Sequence, residues 1–94
     1  MTKPLVSIVV FTYNSSGYVL DTLESIKSQS FSNIELIITD DGSKDDTVDM
    51  CKKWLDLNHR RFIRTQLITV PKNTGISANC NRGVKASRGE WIKP

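Results

Sequence analysis

Three short runs of β-branched and aromatic residues, separated by stretches of helical periodicity, constrain the fold of this chain most strongly. The runs lie at residues 6–11, 34–39 and 65–70, and a fourth begins at residues 90–93. The first run is apolar almost without interruption, which favours a strand buried on both faces of a parallel sheet. All four runs are predicted to be strands.

Between these strands, apolar residues recur at helical spacing. The polar turn at residues 12–17 and the segment 45–47 supply N-cap residues, and Gly89 is a stop signal after the third helix. The helices are predicted to end near residues 29, 58 and 87. The first helix is predicted to be amphipathic, with Val19, Leu20, Leu23 and Ile26 as its apolar positions. The buried stripe of the second is predicted to be Val48, Cys51 and Leu55, with Trp54 alongside. The third is predicted from Ile76, Cys80 and Val84 with the small residues Ala78, Gly83 and Ala86.

The alternation of strand and helix sets the expected topology. Right-handed crossover connections between successive strands give a parallel, doubly wound sheet with helices on both faces. The predicted fold class is therefore a three-layer, Rossmann-like α/β arrangement, βαβαβαβ. Ninety-four residues fit one domain, so residues 1–94 are taken as a single unit.

Ligands of such sheets bind beyond the carboxyl ends of the strands, which are the loops 12–17, 40–46 and 71–75. The first loop has one glycine, which disfavours the G-x-G-x-x-G turn of a dehydrogenase, and the chain has no P-loop motif. A receiver-type phosphoacceptor pocket would need an Asp after the third strand, where Pro71 stands. These three kinds of site are therefore disfavoured.

Asp40 and Asp41, at the end of the second predicted strand, are the most informative polar residues. Carboxylates at this edge can accept hydrogen bonds from a base N–H or from ribose hydroxyls. Asp-Asp-Gly-Ser is also an ordinary turn ahead of a helix, so a purely structural role stays open.

Charge is distributed unevenly along the chain. Residues 1–51 carry three lysines against eight acidic residues, and residues 52–94 carry ten basic residues against two acidic ones. The aromatic interleaving of single-stranded nucleic-acid platforms is absent, so the basic half is interpreted as solvated surface and no nucleic-acid partner is expected.

Compartment is inferred from the cysteines and the apolar runs. Cys51 and Cys80 fall on different predicted helices, so reduced packing residues are expected. The sequence has no signal-peptide pattern and no run of membrane-spanning length. We expect a cytoplasmic location, with peripheral attachment of the full-length protein to the inner membrane face as the alternative.

Five segments together resemble the opening of the family-two inverting glycosyltransferases of GT-A fold. They are residues 6–14, 25–31, 38–47, 73–83 and 88–92, in the family's order and at its separations. The resemblance implies the N-terminal, nucleotide-binding half of such a catalytic domain, so residues 1–94 are expected to be a partial domain.

The resemblance also implies a nucleotide site. The Thr-Tyr-Asn loop of the family lines base and ribose, and the second Asp, here Asp41, accepts the ring N–H of the base, commonly uracil. An ionised carboxylate is an acceptor only, which suits the imino proton of uracil or guanine, whereas adenine has no ring N–H. The candidate nucleotide-binding residues are Thr12, Tyr13, Asn14, Asp40, Asp41, Asn73, Gly75 and Asn79.

The sequence departs from the family pattern at two positions. Phe11 stands where Pro is common and is interpreted as a packing residue. Cys80 stands where a basic residue is frequent, and it is interpreted as a small buried hydrophobe. Asn79 or Lys72 is the expected substitute for the missing polar contact.

The function implied by the resemblance is transfer of a sugar, with inversion, from a nucleoside diphosphate, most readily UDP, to the hydroxyl of a saccharide or lipid-linked saccharide. The family's acidic pair, which holds Mn²⁺ or Mg²⁺, and its catalytic base fall beyond Pro94. No catalytic or metal-binding residue is therefore assigned within the chain, which is expected not to turn over alone.

Three alternatives stay open. The first is a non-catalytic nucleotide-binding or interaction module on the same scaffold. The second, a nucleotidyltransferase, is disfavoured because the basic, Gly-rich first loop is missing. The third is a fold in which Asp40, Asp41 and Tyr13 are purely structural, and this alternative predicts no nucleotide affinity. Exposed strand edges also predict self-association.

Overall fold

The computed structural model describes residues 6–89 and 91–93. Glu90, where the fourth strand was predicted to begin, lies outside the described residues. The elements are β1 (Val6–Thr12), α1 (Val19–Lys27), β2 (Ile34–Asp40), α2 (Thr47–Asn58), a 3-10 turn (His59–Arg61), β3 (Arg64–Thr69), α3 (Ile76–Ala86) and β4 (Trp91–Lys93). The predicted order is confirmed, and the boundaries of the elements differ from the predicted ones by one or two residues.

The four strands form one parallel sheet in the order β3-β2-β1-β4. In its register Val6 lies opposite Ile34, and Thr12 lies opposite Asp40. Thr69 of β3 also lies opposite Asp40. The strands therefore end side by side, which brings their following loops to one edge, and the predicted Rossmann-like α/β class is confirmed.

The main core lies between the sheet and the helices α1 and α2. Leu23 of α1 and Ile38 of β2 are fully buried there, and Trp54 of α2 packs against Phe62 with ring centroids 6.0 Å apart. Each fully buried aliphatic side chain contributes about 1.5–3 kcal/mol by removal from water. This layer fixes the sheet on which the loops are carried.

The predicted buried faces of α1 and α2 are partly wrong. Leu20 is exposed, so the inner face of α1 consists of Val19, Leu23 and Ile26. In α2 the buried residues are Thr47, Cys51 and Trp54, while Val48 and Leu55 are half-buried. The helix turns this way because the Thr47 hydroxyl accepts the Ser15 N–H at 2.8 Å and the Trp54 indole donates to Glu24 at 2.6 Å.

The large apolar residues from which α3 was predicted do not form its buried face. Ile76 is 87% exposed and Val84 is exposed, while the buried residues are Asn79 and Gly83. The helix approaches the sheet so closely that a Cβ on Gly83 would lie 2.3 Å from Cγ1 of Val9. Only a face of small or hydrogen-bonded residues fits at that distance, so the larger apolar residues lie outward.

Across the described ranges 6–89 and 91–93, none of the helices has the length and hydropathy needed to cross a membrane.

Candidate functional site

Asp40 joins the ends of β1 and β2. Its Oδ1 accepts the hydroxyls of Thr12 and Ser43, each at 2.6 Å, and its Oδ2 accepts the Ser43 N–H at 2.8 Å. The carboxylate is buried beneath the turn that it organises. Asp40 therefore holds the end of β1 and the turn after β2 together beneath the site.

Asp41 lies at the centre of the loops and is only 3% exposed. Its Oδ1 accepts the Thr74 hydroxyl at 2.6 Å, the Thr74 N–H at 3.0 Å and Nη2 of Arg82 at 2.8 Å. Its Oδ2 accepts the Gly75 N–H at 2.9 Å. The hydrogen bond from the Thr74 hydroxyl is the main effect that lowers the pKa of Asp41. Together with the bonds from the two N–H groups and Arg82, it outweighs burial, which acts to raise the pKa.

Gly42 allows the loop after β3 to reach Asp41. Its φ is +81°, and a Cβ there would lie 2.7 Å from the carbonyl carbon of Lys72 and 2.8 Å from the amide nitrogen of Asn73. Any side chain at this position would push the backbone of the loop away. The glycine of the Asp-Asp-Gly-Ser segment is thus required by a close contact as well as by its turn.

The loop after β1 is held to the loop after β2. Asn14, at φ +50°, donates its N–H to the Ser43 hydroxyl at 2.7 Å and accepts the Lys44 N–H on its Oδ1 at 2.9 Å. Asp45 accepts hydrogen bonds from the Thr47 hydroxyl and from the Thr47 and Ser16 N–H groups. These bonds outweigh burial, which acts to raise the pKa, and they lower the pKa of Asp45 to about 2. These bonds fix the wall of the site formed by residues 12–18.

A cleft of about 370 Å³ opens between these loops. Tyr13, Tyr18 and Ile76 on its walls are exposed and Phe11 is half-buried, as expected of a surface that can cover a flat ligand. The residues lining it are Phe11, Thr12, Tyr13, Tyr18, Asp41, Asn73, Ile76 and Asn79.

A larger cavity of about 560 Å³ lies beside β1 and α1, lined mainly by strand residues such as Val9 and helix residues such as Thr22. It lies away from the loops that carry the convergent hydrogen-bonding groups. The smaller cleft is therefore the stronger candidate.

The sequence-predicted site residues divide into two groups. Thr12, Tyr13, Asp41, Asn73 and Asn79 line the cleft, whereas Asn14, Asp40 and Gly75 hold its walls through the bonds described above. The structure places these eight residues in or around the same cleft, and the sequence did not separate lining residues from those that hold the walls.

Asn79, one of the expected substitutes for a basic contact, is largely engaged within the fold. Its Oδ1 accepts the Thr39 hydroxyl at 2.7 Å, and its Nδ2 donates to the Thr39 carbonyl at 3.1 Å. Cys80 beside it is half-buried rather than fully buried. Among the residues that the structure describes, Arg82 is the cation paired with Asp41, behind the cleft lining.

Sequence reasoning missed Arg82 and three lining residues, Phe11, Tyr18 and Ile76. Arg82 follows Asn79 by three positions, so both lie on one side of α3, and this spacing was a usable signal. No periodicity indicates that Ile76 reaches the cleft, because it does so from the exposed first turn of the helix.

A metal site needs several carboxylate, imidazole or thiolate groups that converge on one point. Among residues 6–89 and 91–93, no three His, Cys, Asp or Glu side chains converge in a way that could hold an ion. Asp40, Asp41 and Asp45 are each engaged with hydroxyl or N–H donors of the chain. The described residues therefore do not fit a divalent metal.

The parallel sheet and the cleft at the carboxyl ends of its strands define the Rossmann-like α/β class, in which ligands bind at that edge. The chain belongs to the family described as Glycosyl transferase family 2, whose sequence model matches residues 7–93. The resemblance drawn from the five segments is thereby confirmed.

Individual relatives agree with this membership. Glycosyltransferase GlyG of Streptococcus pneumoniae serotype 4 is 34% identical over 89 residues, covering 94% of this chain and 28% of that protein. Chondroitin synthase of Escherichia coli is 37% identical over 89 residues, covering 95% of this chain and 12% of that protein.

Among solved structures, S. aureus TarS 1-349 in complex with UDP-GlcNAc is similar, with a TM-score of 0.81 and 26% identity over 94% of this chain and 25% of that chain. The chain therefore spans about an eighth to a third of the lengths of the curated relatives it matches.

Proposed function

We propose that this chain forms the nucleotide-binding part of a glycosyltransferase that moves a sugar, with inversion, from a nucleoside diphosphate to an acceptor hydroxyl. UDP-sugars are the favoured donors, and a saccharide or lipid-linked saccharide is the favoured acceptor in polysaccharide synthesis. The observation that carries the proposal is the carboxylate of Asp41 in the cleft, with one oxygen partly free.

The hydrogen-bonding capacity of Asp41 decides what it can recognise. Each carboxylate oxygen has about two acceptor positions. Oδ1 already receives three donors, whereas among the described residues Oδ2 receives the Gly75 N–H. Oδ2 therefore keeps one position for a ligand N–H, which uracil and guanine supply from the ring and adenine does not.

The walls of the cleft suit a flat ring beside that oxygen. Tyr13, Tyr18 and Ile76 are exposed and line the same cleft as Asp41. Stacking of a base on an aromatic side chain contributes about 1–3 kcal/mol. If a base lay between these side chains and donated its N–H to Asp41, its ribose and diphosphate would point out of the open mouth of the cleft.

Relatives support the choice of donor. TarS has been crystallised with UDP-GlcNAc, and chondroitin synthase takes its name from a polysaccharide. The Mn²⁺ or Mg²⁺ implied by the family finds no fitting ligand set among residues 6–89 and 91–93, so no step is assigned to it. A non-catalytic binding module would share the cleft and differ only in lacking transfer.

Self-association through a strand edge is part of the same proposal. Among the described residues β4 pairs with β1 at residues 6–8, which leaves the far half of β1 bonded to β2 alone. A partly unpaired edge of this kind favours association with a second copy.

The test is calorimetric titration of the chain with UDP, GDP, CDP and ADP. UDP or GDP is expected to bind at least tenfold more tightly than ADP, since a charge-assisted hydrogen bond contributes about 1.5–3 kcal/mol. Asp41→Asn should abolish the preference because its amide donates where the base also donates. Asp56→Asn, at an exposed position of α2, is the matched control.

Two results would contradict the proposal. Equal affinity for all four nucleotides would show that Asp41 does not read the base. Absence of nucleotide affinity in the native chain would leave Asp40, Asp41 and Tyr13 as structural residues only.

A further inference from the structure

Arg82 contacts the carboxylate of Asp41 from the inner side of α3. Its Nη2 lies 2.8 Å from Oδ1 of Asp41 and 2.8 Å from the Thr74 hydroxyl, and 3.4 Å from Oδ1 of Asn79. The side chains of Arg82 and Asp41 are 26% and 4% exposed. The pair is therefore largely shielded from water, where such contacts are stronger than on an open surface.

Thr74 closes the arrangement into a ring of three groups. Its hydroxyl donates to Oδ1 of Asp41 at 2.6 Å while it accepts from Arg82. With Oδ1 held from two directions, the carboxylate cannot rotate without breaking several bonds. The rotation is fixed so that Oδ2 is the oxygen with a remaining acceptor position.

We propose that Arg82 is the positioning residue that makes Asp41 selective for nucleotides whose base carries a ring N–H. This inference rests on the proposed function, in which Asp41 selects uracil and guanine nucleotides, and it adds the residue that holds Asp41 in the selective orientation. Arg82 is not among the residues lining the cleft, so it acts through Asp41 and not by touching the base.

The electrostatics of the cleft are consistent with this role. Arg82 is the cation in contact with Asp41. The other titratable groups nearby are Asp40, the preceding residue in the chain, and the phenols of Tyr13 and Tyr18 on the cleft wall. Arg82 helps to keep Asp41 ionised. Because the folded pKa is lowered, Asp41 accepts fully above its ordinary range and loses this capacity as pH falls through the lowered pKa.

The experiment measures binding of UDP and of N3-methyl-UDP, which lacks the ring N–H, to the native chain, Arg82→Met and Arg82→Lys. Arg60→Met is the matched control, since Arg60 is exposed on the 3-10 turn at the opposite edge of the sheet. Each titration is repeated from pH 7 down to about pH 2.5, a range that extends below the ordinary aspartate pKa of 3.8, and the pKa of Asp41 is followed by NMR without ligand.

The expected result is a loss of about tenfold in UDP affinity for Arg82→Met, as for one charge-assisted hydrogen bond. Affinity for N3-methyl-UDP should stay unchanged, which also shows that the variant is folded. UDP binding to Arg82→Met should fail at a higher pH than in the native chain, and Arg82→Lys should recover part of the affinity because it retains the charge.

Three results would overturn the inference. An unchanged UDP affinity in Arg82→Met would remove the role of Arg82 alone, and an equal loss for UDP and N3-methyl-UDP would show that Arg82 holds the diphosphate or the fold instead. A native chain that binds neither compound contradicts the proposed function itself, whatever the pKa of Asp41 does in the variant.

Discussion

The Ser7 hydroxyl donates a 2.7 Å hydrogen bond to the buried carboxylate of Glu35, at the edge of the sheet opposite the cleft. The same carboxylate accepts the Arg88 N–H at 2.7 Å and pairs with Arg64, while Ser7 accepts the Gly89 N–H at 2.7 Å. Glu35 therefore ties β1, β2 and β3 to the segment that leads into β4.

Replacing Glu35 by Ala should lower the free energy of unfolding by about 1–3 kcal/mol, because the donors that it satisfies lose a buried acceptor. Asp56→Ala, at an exposed site, should change it little. Urea denaturation at pH 7 measures both. A Glu35→Ala chain as stable as Asp56→Ala would show that water replaces the carboxylate at no cost.

Glu35 should also contribute to acid sensitivity. Burial acts to raise its pKa, but the bonds from the Arg88 N–H, Ser7 and Arg64 together lower it below the ordinary value of 4.5. A carboxyl whose pKa is lowered by folding contributes stability that is fully present above its ordinary pKa and is lost as pH falls through the folded pKa. Between pH 7 and pH 3, Glu35→Gln should therefore lose less stability than the native chain; an equal loss would contradict this.

Gly83→Ala should destabilise the chain by about 1–3 kcal/mol, as for an overpacked core. The added Cβ would meet Cγ1 of Val9 at 2.3 Å and Cγ2 of Thr39 at 3.1 Å. Gly17→Ala is the matched control, since a Cβ there meets nothing within 4 Å. Thermal or urea unfolding distinguishes the two variants, and equal midpoints would show that α3 can move off the sheet freely.

Gly42→Ala should displace the loop 71–75, because the new Cβ would lie 2.7 Å from the backbone of Lys72. The positive φ adds conformational strain, so a combined loss of about 1–3 kcal/mol is expected. The sharper readout is amide hydrogen exchange at Thr74 and Gly75, whose N–H groups bind Asp41. Their protection should fall, together with UDP affinity; unchanged protection would mean that the loop does not depend on Gly42.

The sequence predicted the sheet well because each strand is a local pattern. The runs at 6–11 and 34–39 lie within β1 and β2, and the alternation with helices left one plausible handedness for the connections. The same reasoning placed the loops at one edge, so Thr12, Tyr13, Asp41, Asn73 and Asn79 were correctly expected near one another.

The tertiary structure decided what no local pattern carries. Helical periodicity favoured an apolar face for α3, yet the sheet accepts only Gly83 and Asn79 at that distance, so Ile76 lies outward and lines the cleft. The pairing of Asp41 with Arg82 depends on atoms separated by 41 residues, brought together by α3 packing on the sheet. Local propensity and residue spacing determine which helices and strands form. Close packing determines which helix faces meet the sheet, and the satisfaction of buried hydrogen-bonding groups determines which oxygen of Asp41 can still accept a ligand N–H.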